Sequence, residues 1–160
     1  MGASNPLHPV DASVLTISAE PLDSVDARRL IGELDDHLNS LYPPEDNFTS
    51  LPTADAFLVA RIDDVAVGCG AVRFLDVSTA EVKRMYVSPI ARGNGVGRGL
   101  LEGLEEFARQ QGAHRLVLET GPLQVEALAL YERAGFAPTP CWGEYAHGKN
   151  SLCYEKPLTA

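Results

Sequence analysis

The chain has 160 residues, of which 45% are hydrophobic and 22% charged, and its formal net charge at pH 7 is -9. This length and composition predict a single globular domain over residues 1–160, with residues 1–12 as a poorly ordered N-terminus. The acidic balance argues against a nucleic-acid partner, which needs a basic face, and the lack of an apolar run of about 18 residues argues against a membrane partner.

The N-terminal half begins with one strand pattern and one helix pattern. Residues 14–20 alternate in polarity like a short strand. Residues 24–42 place leucines at helical spacing until Pro43 and Pro44 end the pattern. Three strand patterns follow around short polar turns and predict an antiparallel meander. They cover residues 56–63, 65–75 and 79–87.

The C-terminal half alternates helices with strands. Apolar residues form one stripe from about Gly95 to Gln111, which predicts a helix that ends before Gly112. A strand, a second helix and a last strand follow at residues 114–120, 125–135 and 151–158. This order predicts an α/β fold with a mixed, mostly antiparallel central sheet flanked by helices.

The cysteine and histidine patterns bear on redox state and metal binding. Cys69, Cys141 and Cys153 are odd in number, widely spaced and without a CxxC pair. This pattern argues against a disulfide framework and a thiolate metal site, and it favours a reducing, cytoplasmic location. The histidines form no HxxxH or HExxH pair, so we expect no metal cofactor.

The segment ARGNGVGRGL, residues 91–100, has a glycine at every second position between a predicted strand and a predicted helix. Its spacing fits neither the dinucleotide fingerprint GxGxxG nor the P-loop GxxxxGK[ST]. Because glycine has no Cβ, the amides of residues 93–98 can turn toward one anion at the positive end of the helix. The segment therefore predicts a pyrophosphate site; a glycine-rich loop without a ligand is the alternative.

Two segments resemble a known family. Residues 92–97, RGNGVG, match the R/Q-x-x-G-x-G/A signature of the GNAT superfamily of acyl-CoA-dependent N-acetyltransferases, and residues 126–136 resemble its A-x-x-L-Y-x-x-x-G-F segment. The resemblance implies that the sheet is splayed at the cofactor-binding strand. It also implies acetyl-CoA as cosubstrate, transfer to a primary amine, more readily of a small molecule than of a protein, and a possible homodimer. A non-catalytic acyl-CoA sensor of the same fold is the alternative.

The resemblance also implies which residues bind the cofactor. The backbone of Met85, Tyr86 and Val87 would pair with the pantetheine amides. Gln124 stands where the family often has Asn, and it is also predicted to bind the cofactor. The pyrophosphate would lie on the glycine segment, at Arg92, Gly93, Asn94, Gly95, Val96, Gly97 and Arg98.

Two side chains are predicted to take part in acetyl transfer. Glu81 is the candidate base, because it lies eleven residues before Arg92, where some family members carry a catalytic glutamate. Strand alternation would place Glu81, Lys83 and Met85 on one face. Tyr131 matches the tyrosine that the family places beside the thioester sulfur. The alternatives are a surface glutamate in an ion pair and an aromatic residue of the core.

Two loops with aromatic residues are predicted to form the acceptor site. Aromatic rings together with carboxylates suit an organic cation. Aromatic residues that only fix the loops to the body of the protein are the alternative. The candidates are Tyr42, Glu45, Phe48, Trp142 and Tyr145.

Overall fold

The computed structural model describes residues 13–44, 51 and 53–159, which form one sheet with helices on both faces. The helices are α1 Val25–Leu41, α2 Val96–Gln110 and α3 Val125–Arg133. The strands are β1 Leu15–Ala19, β2 Ala56–Ile62, β3 Val65–Phe74, β4 Thr79–Val87, β5 Arg115–Thr120, β6 Ala137–Pro138 and β7 Leu152–Pro157. The sequence predicted each of these except β6. It also missed two short 3-10 helices, at Pro89–Ala91 and Gly143–His147.

The sheet has seven strands in the order β1-β2-β3-β4-β5-β7-β6. Each neighbouring pair is antiparallel except β4 and β5, which run parallel. The predicted mixed, mostly antiparallel α/β sheet is therefore confirmed. Helix α2 forms the crossover between β4 and β5. Because these two strands are parallel, their carboxyl ends lie at the same edge of the sheet.

Helix α1 covers one face of the sheet. Ser24 begins it, because its side-chain oxygen accepts a hydrogen bond from the Ala27 amide at 3.0 Å. Its buried residues are Ala27, Leu30 and Leu34, and the first two pack with side chains of β2 and β3 in one core cluster. This cluster holds α1 against the middle of the sheet.

Helix α2 covers the opposite face, next to α3. Two of its glycines allow a close approach to the sheet. A Cβ on Gly99 would lie 2.7 Å from Ile17 Cδ1, and one on Gly103 would lie 2.9 Å from Leu58 Cδ1. Gly99 thus serves packing against β1. The buried residues of α2 are Val96, Leu100, Leu101, Leu104 and Ala108.

A bulge interrupts the pairing of β3 with β4. The register passes from Cys69 opposite Tyr86 to Ala71 opposite Lys83, so β4 has an extra residue here. Arg84 in this bulge has a φ of 59°. This left-handed conformation costs a non-glycine residue about 1–3 kcal/mol, so other contacts must hold it.

The contacts that hold the bulge come from α1. The buried Arg84 guanidinium donates a hydrogen bond to Asp35 Oδ1 at 2.6 Å. The extra residue also shifts the alternation of side chains. Met85 therefore packs with the α2 face of the sheet, whereas Glu81 and Lys83 lie on the α1 face. The prediction that Met85 shares a face with Glu81 and Lys83 is wrong.

Cys141 and Cys153 form a disulfide, so the prediction of no disulfide is wrong. The chain turns back between them, and the Thr139 amide donates to the Cys153 carbonyl at 2.9 Å, which brings the two cysteines together. Cys69 is free, and burial raises the pKa of its thiol to about 12. Because disulfides persist in oxidising environments, the cysteine pattern no longer supports a cytoplasmic location.

Two features are absent from the described part of the chain, a membrane-spanning helix and a metal-binding group of side chains. Within residues 13–44, 51 and 53–159, no helix is long and apolar enough to cross a membrane. In the same ranges, no group of three or more His, Cys, Asp or Glu side chains is arranged to hold a metal ion. Residues 1–12, predicted to be poorly ordered, lie outside the described residues.

We expect the disulfide to be detectable and to stabilise the fold. Alkylation after denaturation without reductant should modify Cys69 alone, and alkylation after reduction should modify Cys69, Cys141 and Cys153. Reduction should lower the free energy of unfolding by about 3 kcal/mol, because the oxidised bond closes a short loop in the unfolded chain. A variant with both Cys141→Ala and Cys153→Ala is the control, and its stability should not respond to reductant. Three modified thiols before reduction would contradict the assignment.

Candidate active site

The parallel strands β4 and β5 separate part-way along their length. Their register runs from Thr79 opposite Arg115 to Val82 opposite Leu118 and then stops, although β4 continues to Val87. The backbone of residues 83–87 therefore has no partner on β5. The N–H and C=O groups on that side of β4 have no partner within the sheet. Because buried backbone groups are normally hydrogen-bonded, a ligand that pairs with them would be favoured here. This is the splay that the resemblance implied.

A cleft of about 930 Å³ opens between the free part of β4, the start of α2 and helix α3. This size suits a cofactor-sized ligand. Asn94, a predicted cofactor residue, does not line the cleft. Its side-chain Nδ2 donates to the Ala91 carbonyl at 3.0 Å and supports the turn. The other predicted cofactor residues line the cleft, namely Met85, Tyr86, Val87, Arg92, Gly93, Gly95, Val96, Gly97, Arg98 and Gln124.

The glycine turn presents open backbone to this cleft. Gly93 and Gly95 have φ values of 84° and 77°, and no atom lies within 4 Å of a Cβ built at either position. Gly95 begins α2 and provides no side-chain cap, so the first amides of the helix are open to the cleft. Their partial positive charge suits an anion such as a pyrophosphate. Arg92 and Arg98 add positive charge at the rim, each beside a glutamate.

Tyr131 lies where this cleft meets a smaller cavity, and it lines both. Its side chain is 5% exposed and packs edge-on against Phe136, with 5.9 Å between ring centroids. Among the described residues, its hydroxyl has no hydrogen-bond partner. Burial and the nearby Glu119 charge raise the pKa of Tyr131, so the hydroxyl stays protonated. An unpaired buried hydroxyl costs about 1–3 kcal/mol, which favours a ligand atom here.

The smaller cavity, of about 80 Å³, is lined by a buried charged network that includes Glu81, Lys83 and Tyr145. Glu81 has 0% exposure; its Oε1 accepts from Arg73 Nε at 2.9 Å and its Oε2 accepts from the Tyr145 hydroxyl at 2.7 Å. Lys83 Nζ donates to the same hydroxyl at 3.1 Å, and burial lowers the pKa of Lys83. The alternative of a surface glutamate at position 81 is therefore wrong.

Glu119, near the carboxyl end of β5, lines the same cavity and was missed by the sequence analysis. Its Oε2 accepts a hydrogen bond from Ser151 Oγ at 2.9 Å. Burial raises the pKa of Glu119 to about 7, and the charges of Glu81 and Glu144 act in the same direction. Its position offered a signal, because polar residues at the carboxyl ends of neighbouring parallel strands often face a ligand.

The predicted acceptor residues have different positions. Tyr145 and Tyr42 line the smaller cavity, and the Tyr42 hydroxyl accepts from the Leu123 amide at 2.9 Å, which joins the end of α1 to the segment before α3. Trp142 lines neither cavity; it packs edge-on against Tyr145 with 5.3 Å between ring centroids. Glu45 and Phe48 lie outside the described residues.

Sequence comparison identifies the family that has this architecture. Residues 25–136 match the profile described as the acetyltransferase (GNAT) family. The chain belongs to the GNAT family. The match extends from the start of α1 to Phe136 after α3, so it includes the splayed strand, the glycine turn and Tyr131. The GNAT fold class predicted from the sequence is confirmed.

Known GNAT proteins are similar over most of the chain. An IAA acetyltransferase of Azospirillum brasilense is 46% identical over 136 residues, which cover 81% of this chain and 89% of that protein. The uncharacterized N-acetyltransferase YsnE of Bacillus subtilis (strain 168) is 30% identical over 147 residues, 86% of this chain and 97% of that protein.

Two solved structures show the same fold. A protein of Klebsiella pneumoniae subsp. pneumoniae MGH 78578, provisionally assigned as an acyl-CoA N-acyltransferase, superposes with a TM-score of 0.80 at 35% identity, over 91% of this chain and 98% of that one. A GNAT acetyltransferase of Elizabethkingia anophelis with acetyl-CoA bound has a TM-score of 0.65 at 20% identity, over 90% of this chain and 98% of that one. The second structure is informative about the fold alone.

The two buried tyrosines predict opposite responses to removal of a hydroxyl. Tyr145→Phe should lower the free energy of unfolding by about 2 kcal/mol, because buried Glu81 and Lys83 each lose a hydrogen bond. Tyr131→Phe is the matched comparison and should raise it by about 1 kcal/mol, because its hydroxyl has no partner among the described residues and removing it relieves the cost of an unpaired buried group. Urea unfolding without ligand measures both. Equal losses in the two variants would contradict the described network.

Proposed function

We propose that this GNAT protein is an acetyl-CoA-dependent N-acetyltransferase that acetylates a primary amine of a small molecule by direct attack in a ternary complex. The observation that carries this proposal is the position of Tyr131. Its buried hydroxyl, without a partner among the described residues, lies where the large cleft and the smaller cavity meet. Acetyl-CoA bound in the cleft and an amine bound in the smaller cavity would meet at this point.

Three features of the cleft fit acetyl-CoA. The unpaired backbone of β4 from Met85 to Val87 would bind the pantetheine amides. The open turn at Gly93 and Gly95, with the first amides of α2, would bind the pyrophosphate. The Tyr131 hydroxyl would lie beside the sulfur. The match of the chain to the acetyltransferase (GNAT) family supports this choice of ligand.

Direct transfer needs few groups from the protein. Bound acetyl-CoA supplies its acetyl group as an activated thioester. Backbone amides in the unpaired part of β4 would donate to the oxygen of the tetrahedral intermediate. Tyr131, which burial keeps protonated, would donate a hydrogen bond to the leaving sulfur. Neither cavity is lined by a cysteine of the described residues, which favours direct transfer over a covalent acyl-enzyme.

The small volume of the second cavity, about 80 Å³, supports a small acceptor group. Its carboxylates, Glu81 and Glu119, favour an amine over an anionic acceptor group. The Azospirillum relative is named an IAA acetyltransferase, so IAA belongs in the set of compounds to be tested. A non-catalytic acyl-CoA sensor is the alternative, and it predicts binding of acetyl-CoA without release of CoA.

The experiment that tests this function is a thiol assay of CoA release from acetyl-CoA with a panel of small primary amines and IAA. We expect sustained release with at least one amine. Tyr131→Phe should lower kcat about 10- to 100-fold, because a hydrogen bond to a developing negative charge is lost. The acetyl-CoA Kd should stay within about twofold, since this bond strengthens only in the transition state.

The unligated stability of Tyr131→Phe controls for misfolding in this experiment. Binding of acetyl-CoA without release by any amine would favour the sensor. Unchanged kcat in Tyr131→Phe would remove the hydroxyl from the reaction while leaving the function in place.

A pair of glycine variants tests the pyrophosphate site. Gly95 and Gly112 both have left-handed φ values, 77° and 97°, and both have no atom within 4 Å of a built Cβ. Alanine at either position should cost about 1–2 kcal/mol of stability, because an L side chain is disfavoured there. Only Gly95→Ala should also weaken acetyl-CoA binding, because Gly95 lines the cleft and Gly112 does not.

Thermal unfolding with acetyl-CoA, NADH and ATP measures this difference. Acetyl-CoA at roughly 100 times its Kd should add about 2.7 kcal/mol to the wild type and to Gly112→Ala. The gain should be much smaller in Gly95→Ala. Equal gains in both variants would contradict the assignment of the glycine turn, and a preference for NADH or ATP would contradict the choice of cofactor.

A further inference from the structure

The splayed strands part between two charged side chains. The last register pair of β4 and β5 is Val82 with Leu118, and the next residue on each strand is Lys83 on β4 and Glu119 on β5. Both side chains line the smaller cavity, which adjoins the cofactor cleft at Tyr131. The point where an acceptor would reach the thioester therefore has Lys83 on one side and Glu119 on the other.

Glu81, the base that the resemblance implied, is poorly placed to take a proton from an acceptor amine. Its side chain has no exposed surface, and both of its oxygens already accept hydrogen bonds, one from Arg73 and one from Tyr145. Protonation of Glu81 would weaken both contacts, because a neutral carboxyl is a poorer hydrogen-bond acceptor than a carboxylate. Glu81 therefore lines the cavity as a buried, fully engaged carboxylate and is a poor acceptor for the proton of an amine.

Glu119 has the accessibility that Glu81 lacks. It is half-buried, and only its Oε2 is engaged within the described structure, by Ser151. Its Oε1 remains for an acceptor in the cavity. Glu119 also lies close enough to Tyr131 for its charge to act on that hydroxyl, so the candidate base and the hydrogen-bond donor for the leaving group are neighbours.

We propose that Glu119 is the general base for the acceptor amine, and that Glu81 is a positioning residue that holds Tyr145 and, through it, Lys83. This inference rests on the proposed function. In the step, the amine nitrogen forms a bond to the acetyl carbonyl carbon and the carbon–sulfur bond breaks. Glu119 takes the first proton from the ammonium form of the amine, which frees the nitrogen for attack. CoA leaves as a thiolate that accepts a hydrogen bond from Tyr131, and the second proton of the nitrogen goes to that thiolate.

The groups around Glu119 match this role. Among the described residues, the titratable and charged side chains that act on it are Lys83 and Glu81 from β4, Glu144 and Tyr145 from the 3-10 helix and Tyr131 from α3, while Ser151 donates to it ahead of β7. Burial and the two other carboxylates raise the pKa of Glu119 to about 7, against the lowering by Ser151 and Lys83. A base whose pKa lies near the working pH is the most effective one.

The first test compares pH profiles with the fastest alkylamine of the panel. In the wild type, kcat/KM should rise with pH through about 7, as Glu119 loses its proton. Glu119→Gln should lose the inflection near pH 7, so that its rate follows only the ionisation of the amine near pH 10, and it should lose at least about 100-fold in rate at pH 7, with acetyl-CoA affinity unchanged. Glu132→Gln, at an exposed position that lines neither cavity, is the matched control and should keep the rate and the profile.

The second test separates a base from a merely structural residue. An arylamine is already neutral at pH 7 and needs little help to lose a proton, whereas an alkylamine with a pKa of about 10 is protonated. Glu119→Gln should therefore slow transfer to the alkylamine far more than transfer to an arylamine. A structural role would slow both acceptors equally, and that result would overturn the proposal.

A third measurement does not depend on turnover. The pKa of Glu119 is higher in the folded chain than the ordinary value of a glutamate, so its ionisation opposes folding as pH rises from about 4.5 to about 7. The gain in Tm on Glu119→Gln should therefore be larger at pH 8 than at pH 5. An equal change at both pH values would show an ordinary carboxyl and count against the proposal.

The outcomes separate this inference from the proposed function. Retention of rate and pH profile by Glu119→Gln, with loss of the profile in Glu81→Gln, would overturn the inference and leave the N-acetyltransferase in place. Absence of CoA release from the wild type with every amine would refute the proposed function, and the inference with it.

Discussion

The separation of β4 from β5 after Val82 and Leu118 is the constraint on which both cavities depend. A continuous ladder would satisfy the backbone of residues 83–87 inside the sheet and leave no unpaired groups for a ligand. The bulge beside this point turns Met85 and Val87 toward α2 and the cleft, while Lys83 stays on the opposite face. The left-handed Arg84 that forms the bulge is held by Asp35 of α1 at 2.6 Å. Helix α1 thus contributes to the site through the backbone shape of β4.

The buried charges of the smaller cavity form a connected set. Arg73, Glu81, Tyr145 and Lys83 follow one another through hydrogen bonds of 2.9, 2.7 and 3.1 Å. Each buried charge therefore has a partner, which offsets the desolvation that an isolated ion would suffer. The loop closed by Cys141 and Cys153 carries both Tyr145 and Ser151, which donate to Glu81 and Glu119. One covalently closed segment therefore contributes a hydrogen-bond donor to each carboxylate.

Local patterns predicted much of this protein correctly, because they concern residues that are close in sequence. The stripe of α2 and the stop at Pro43 each depend on a few neighbouring positions. The glycine turn could also be predicted from the sequence. Gly93 and Gly95 have left-handed φ values, and glycine is the residue that adopts them without strain. The pairing of Cys141 with Cys153 was missed, because it depends on the path of the chain between β6 and β7.

The sequence by itself determined the family, the order of elements and the positions of the glycine turn and Tyr131. It did not determine which way the side chains of β4 face, because the bulge at Arg84 arises from register against β3 and from an ion pair with α1. Only the tertiary structure distinguished Glu81 from Glu119, since burial and hydrogen-bond partners come from Arg73, Tyr145 and Ser151, which lie on other elements. A carboxyl group acquires its accessibility and its pKa from such neighbours, and they are brought together only when the sheet forms.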